Sequence, residues 1–188
     1  MVNNKFFKAA HEDPLPFVYK SLKGKDITYK TSDGVDAHAF EIKADNNSPY
    51  YLFVIHEWYG LNGHIKQEAE KLHNDLGINV IALDLYDNKV AANRDDASKY
   101  MQMVKTERAI NIIKGAYSYA GSEAKVFTIG WCFGGGWSLQ TAIEGGNQAT
   151  GSIMYYGQPE KDVDRLKTLK CDIIGFFGNQ DEWPSRKG

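Results

Sequence analysis

The chain has 188 residues, enough for one domain with a sizeable core and too few for two ordinary ones. Hydrophobic residues make up 43% and aromatic residues 13%, with no polar low-complexity tract, which excludes a disordered chain. A net charge of −2, with 22 basic and 24 acidic residues interspersed, leaves no basic cluster to neutralise phosphates, so nucleic acid is not an expected partner.

Residues 1–24 read as irregular, and 25–188 as a single α/β domain. No apolar run approaches the roughly 20 residues that span a bilayer, and the start has no continuous apolar stretch of a signal peptide. No membrane association is expected. The compartment expected is the cytoplasm, or the periplasm or exterior had a signal been removed upstream of Met1.

In chain order, "DITYKTSDGVDAHAFEIKA" gives two strand-like runs around the turn signal Ser32-Asp33-Gly34. The runs "YYLFVIH", "INVIAL", "KVFTIG", "GSIMYY" and "CDIIGFF" lack a polar face, as strands covered on both sides do. Between the first two, Ile65, Ala69, Leu72 and Leu76 recur at helical spacing and Gly77 can close the end in αL conformation. The segment from Arg94 to Gly121 predicts one or two helices, and "GWSLQTAIEGG" another. Strands alternating with helices imply a three-layer, mostly parallel sheet with an antiparallel hairpin at its N-terminal side.

The fifth of those strands runs into Gly130-Trp131-Cys132-Phe133-Gly134. Gly-x-Cys-x-Gly between a strand and a helix matches a nucleophile elbow in which cysteine replaces the usual serine. The flanking glycines let strand and helix pass closely around a strained residue. A helix N-terminus there lowers a thiol pKa and can receive an oxyanion, so the stretch reads as built for a thiolate. Two other readings fit the same letters: a buried structural cysteine among packing glycines, and a phosphate-binding turn, although "GWCFGGG" lacks both phosphate-loop spacings. Cys171 opens the seventh strand, at the opposite end of the sheet from the elbow, which argues against a redox pair with Cys132. Two cysteines provide no zinc spacing, and neither metal nor organic cofactor is expected.

Four stretches, "VIHEWYGLNGHIKQEAEKL", "VIALDLYDNKVAANRDDA", "TIGWCFGGGWS" and "GNQDEWP", resemble the dienelactone hydrolase family of the α/β-hydrolase fold, in its order and over most of the chain. The resemblance implies hydrolysis of a small ester or lactone by a Cys-His-Asp triad. It assigns the nucleophile to Cys132, the acid to Asp181, and to Glu57 the glutamate that holds the resting thiol. It implies an oxyanion hole from the backbone N–H groups of Phe133 and Trp58. Arg94 matches a substrate-carboxylate arginine loosely, and Tyr86 falls among aromatic residues that could line the pocket with Trp58, Tyr59, Trp131 and Trp137.

One departure stands out: the triad histidine should follow Asp181, whereas His11, His38, His56, His64 and His73 all precede the elbow. His56 reads as a strand-end residue packed under the loop. The sequence is therefore expected to lack the last strand, the last helix and the histidine, leaving the 188 residues inactive as they stand. The alternative is a noncatalytic ligand-binding or scaffold domain that lost the base. Oligomeric state is not legible.

Overall fold

The computed structural model describes Asp13 and residues 17–179. Strands β1 (Lys25–Tyr29) and β2 (Ala37–Ile42) form the hairpin, followed by β3 (Tyr50–Ile55), α1 (Gly63–Leu76) and β4 (Asn79–Leu83). Then come α2 (Arg94–Met103), α3 (Thr106–Ala120), β5 (Lys125–Trp131), α4 (Phe133–Gly145), β6 (Ala149–Tyr155), the single turn α5 (Val163–Leu166) and β7 (Asp172–Phe176). The segment predicted as one or two helices is two, with Val104 and Lys105 between them.

The seven strands make one sheet in the order β1-β2-β4-β3-β5-β6-β7. β2 pairs antiparallel with both β1 and β4, and the remaining pairs are parallel. The chain steps outward from β3 to β4, then crosses back over β3 to β5. The carboxyl ends of the adjacent strands β3 and β5 thus flank the point where the winding reverses, the usual ligand crevice of an open α/β sheet.

Period-two alternation splits each apolar run between two layers. Phe53, Ile55, Ile81 and Leu83 pack with Ile112, Ile113 and Ala116 of α3. Leu52, Val54, Val80 and Ala82 pack with Ile65 and Ala69 of α1. Burying each large aliphatic side chain contributes about 2 kcal/mol, and β3 and β4 hold six of them, Leu52, Val54, Ile55, Val80, Ile81 and Leu83. Asn62 caps α1 by accepting the Ile65 N–H at 3.1 Å, and Gly77, at φ 66°, closes it through an N–H bond to the His73 carbonyl at 2.8 Å. Trp131 and Tyr155 pack against the second layer, that of α1, and Trp131, Tyr155 and Phe176 stack across β5, β6 and β7 with ring centroids 5.7 and 4.7 Å apart. Among the described residues no helix is long and apolar enough to cross a membrane.

Candidate active site

β5 delivers the chain to Cys132, which sits at φ 53° and ψ −116° as the residue just before α4. Such a conformation costs a non-glycine residue about 1–3 kcal/mol and persists only where its surroundings impose it. They do so from both sides. The Cys132 N–H donates to the Tyr155 carbonyl at 3.0 Å, and the Cys132 carbonyl accepts the Gly135 N–H at 3.1 Å. Gly130 and Gly134 are required by contact: a Cβ on Gly130 would strike the Gly134 backbone, and one on Gly134 would strike the carbonyl oxygens of Ile55 and His56. Behind the elbow, Ser138 of α4 is fully buried, its hydroxyl 2.8 Å from Thr128 Oγ1 of β5 and 3.0 Å from Ser152 Oγ of β6. This trio fixes the helix on the strands, so the turn cannot relax by sliding α4.

The thiol is half-buried and opens on a cavity of about 400 Å³. Met101, Phe133, Trp137 and Pro159 form its apolar walls, and Gln140, Gln158 and Glu160 its polar one. The polar wall is fixed: Gln140 Nε2 donates to Glu160 Oε2 at 2.9 Å, as does Arg165 Nε at 3.0 Å, and Arg165 donates to Gln140 Oε1 at 2.6 Å. The Asp162 N–H is the leading group that holds the Glu160 carboxyl down, at about 2, with Gln140, Lys161 and Arg165 adding to it.

The expectation of a lowered thiol pKa is overturned. Burial, and then the Glu57 carboxylate, push the Cys132 thiol up to about 11, against a smaller lowering by the Phe133 N–H. The helix N-terminus does supply that donor, but desolvation of a thiolate outweighs one hydrogen bond. At pH 7 only about one thiol in ten thousand is then ionised in the resting site. Exchanging Glu57 for glutamine removes the second cause and leaves the first. Glu57→Gln is therefore expected to raise the rate of iodoacetamide labelling of Cys132 at pH 8 about three- to tenfold, read by mass spectrometry of the peptide carrying it.

Glu57 and Trp58 lie in the loop after β3, which is pinned at successive carbonyl oxygens. That of Glu57 accepts His56 Nδ1–H at 2.6 Å and the Gly60 N–H at 3.1 Å. That of Trp58 accepts the Tyr86 hydroxyl at 3.1 Å, and that of Tyr59 the Ala91 N–H at 2.9 Å. Tyr86 is buried, and its backbone N–H donates to the Asp84 carboxylate at 2.8 Å. Trp58 is likewise core, whereas Trp137 lines the cavity. Arg94 donates through Nε to Asp13 at 3.1 Å at the exposed start of α2. Burial, then the Asp13 carboxylate and more weakly Glu57, push the Tyr59 hydroxyl up against the opposing Arg94 charge. Asp181 lies outside the described residues.

Of the described histidines, His56 comes nearest the elbow, its ring stacked on Phe133 with centroids 5.7 Å apart. Both its nitrogens are engaged, Nδ1 with the Glu57 carbonyl and Nε2 as acceptor of the Leu85 N–H at 3.1 Å. It is not available as a base. Among the described residues no group of histidine, cysteine or acidic side chains could hold a metal ion. The sequence placed His56 under the loop without giving it a role, and it did not point to Ser138 or the Gln140–Glu160 wall. Only His56, adjoining "EWYG" at a strand end, left a signal that could have been followed further.

A mostly parallel sheet carrying a strained turn after β5 defines an α/β-hydrolase fold. A dienelactone hydrolase-like promiscuous phosphotriesterase from metagenomic libraries shares it, with a TM-score of 0.71 and 21% identity over 88% of this chain and 73% of that one. The chain belongs to the dienelactone hydrolase family, whose model matches residues 37–186. It is 28% identical over 199 residues to a Saccharolobus solfataricus protein provisionally named a carboxymethylenebutenolidase, covering 84% of this chain and 75% of the relative. It is 26% identical over 172 residues to the carboxymethylenebutenolidase of Pseudomonas putida, covering 81% and 72%.

Proposed function

We propose that this protein hydrolyses a small carboxylic ester or lactone through a thioester on Cys132. The observation that carries the reading is the positive φ of Cys132 at the mouth of a cavity of about 400 Å³. A noncatalytic binding role accounts for the cavity but gives no reason to maintain a strained turn under a thiol.

The resting thiol is protonated and waits for substrate. Entry of an ester displaces the influence of Glu57, a base takes the thiol proton, and sulfur attacks the carbonyl carbon. The negative charge that forms on the carbonyl oxygen is received by the Phe133 and Trp58 N–H groups, each worth about 3 kcal/mol in the transition state. The C–O bond to the alkoxide breaks, and the alkoxide takes the proton from the base. Water then cleaves the thioester, releasing the acid and restoring the thiol. The cycle calls for a histidine, oriented by Asp181, as that base. The apolar walls suit a short hydrocarbon acyl or leaving group, and the rigid Gln140–Glu160 side limits its length.

Mixing a short p-nitrophenyl ester with the protein, expressed to the end of its reading frame, tests this. Quenching in acid is expected to trap one acyl group on the peptide carrying Cys132. Turnover of the ester with no acyl group on that peptide would refute the thioester.

A further inference from the structure

The geometry points to His56 as the positioning residue of the oxyanion loop: its imidazole sets the plane of the Glu57–Trp58 peptide and thereby aims the Trp58 N–H. This rests on the proposed chemistry at Cys132, in which that N–H receives the carbonyl oxygen of the substrate.

His56 is completely buried at the end of β3. Its ring lies between Phe133, stacked at 5.7 Å, and Tyr86, edge-on at 4.6 Å. Nε2 accepts the Leu85 N–H at 3.1 Å, so it carries no proton, and the remaining proton is on Nδ1. Nδ1–H then donates to the Glu57 carbonyl at 2.6 Å. That carbonyl belongs to the same peptide group as the Trp58 N–H. In a planar trans peptide the C=O and N–H point in opposite directions, so fixing one fixes the other. The Leu85 bond in turn anchors the ring to the chain leaving β4, whose Asp84 carboxylate accepts the N–H groups of Tyr86 at 2.8 Å and Asn88 at 2.6 Å. The aim of the peptide is thus referred to two strands and not to the loop alone. Phe133, the other oxyanion donor, stacks on the same imidazole, which ties the two donors to one ring.

Two substitutions separate the bonds. Asparagine places a side-chain N–H near the position of Nδ1 and loses the contact to Leu85. Glutamine places its carbonyl near Nε2 and loses the short bond to Glu57. With a p-nitrophenyl ester as substrate, His56→Gln is expected to lower kcat about ten- to a hundredfold with KM within twofold, because the lost stabilisation acts on the transition state. Binding of a trifluoromethyl ketone, which holds an oxyanion once Cys132 sulfur adds to its carbonyl, is expected to weaken by a similar factor. His56→Asn is expected to stay within about threefold of wild type. His56→Phe, which keeps the ring stack and loses both bonds, is expected to match His56→Gln and serves should the glutamine protein not fold. A purely structural histidine would give the same loss in the Asn and Gln proteins, tracking melting temperature, and that result overturns the proposal. Cys132→Ala is run alongside. If it retains the wild-type rate, the nucleophile reading and this inference fall together. If it is inactive while His56→Gln and His56→Phe turn over normally, this inference alone falls.

Discussion

Cys132→Ala is expected to lower kcat for a short p-nitrophenyl ester about ten-thousandfold or more, while leaving the fold intact. The two parts of that expectation come from different atoms. Catalysis in the proposed cycle depends on one sulfur, and removing the group that forms the covalent intermediate abolishes that route, leaving only what the oxyanion donors achieve with water. The fold depends on the turn, whose backbone bonds from Cys132 to Tyr155 and Gly135 do not involve the sulfur. Alanine has the same difficulty at φ 53° as cysteine, so the strain is unchanged. Far-ultraviolet circular dichroism and melting temperature should therefore match wild type while initial rates collapse. Cys132→Ser tests a different step. Serine keeps an attacking atom but has a far higher pKa, so it is expected to retain a small fraction of the rate at neutral pH. A rate within tenfold of wild type in the alanine protein would remove Cys132 from the chemistry.

What was legible in the sequence divides along physical lines. The strand runs and α1 were legible because burial imposes periods of two and 3.6 on residue type, and Gly77 closes α1 where the pattern ends. The elbow was legible for a steric reason, since Gly130 and Gly134 each face backbone from another element and no other residue fits. The electrostatics at the same residue were misread. A helix N-terminus is local and can be read from order along the chain, but the burial of Cys132 and the reach of Glu57 across from β3 arise only when strands 3 and 5 lie side by side. The cavity wall was invisible for the same reason, because Gln140 and Glu160 are 20 positions apart and the fold brings them into direct contact, with Arg165 bonded to both. His56 was read as a strand-end residue packed under the loop, which is where it lies. Its two hydrogen bonds, one to its own neighbour and one to β4's exit, leave no mark in the sequence.

Gly134→Ala decides whether the elbow is held by contact or by helix propensity, because the two effects have opposite signs. Gly134 lies in the first turn of α4, where alanine's better propensity alone would stabilise by up to about 1 kcal/mol. A Cβ there would instead meet the Ile55 carbonyl and, at 2.5 Å, the His56 carbonyl. Neither oxygen can withdraw, since Ile55 is paired with Leu83 on one side and Gly130 on the other, and β3 is an interior strand. Nor can α4 retreat without breaking the Ser138 bonds to Thr128 and Ser152. The clash is therefore expected to win, with a net loss of about 3 kcal/mol or more, which for a chain of this size lowers the melting temperature by roughly 10 °C. Gly77 provides the contrast. Nothing lies within 4 Å of a Cβ built there, and its φ of 66° is the sole objection. Gly77→Ala should then cost only about 1 kcal/mol. Urea denaturation of the two variants reads the difference directly. Equal losses, or a stabilised Gly134→Ala protein, would mean that α4 can move away from β3, and with it the turn that presents Cys132.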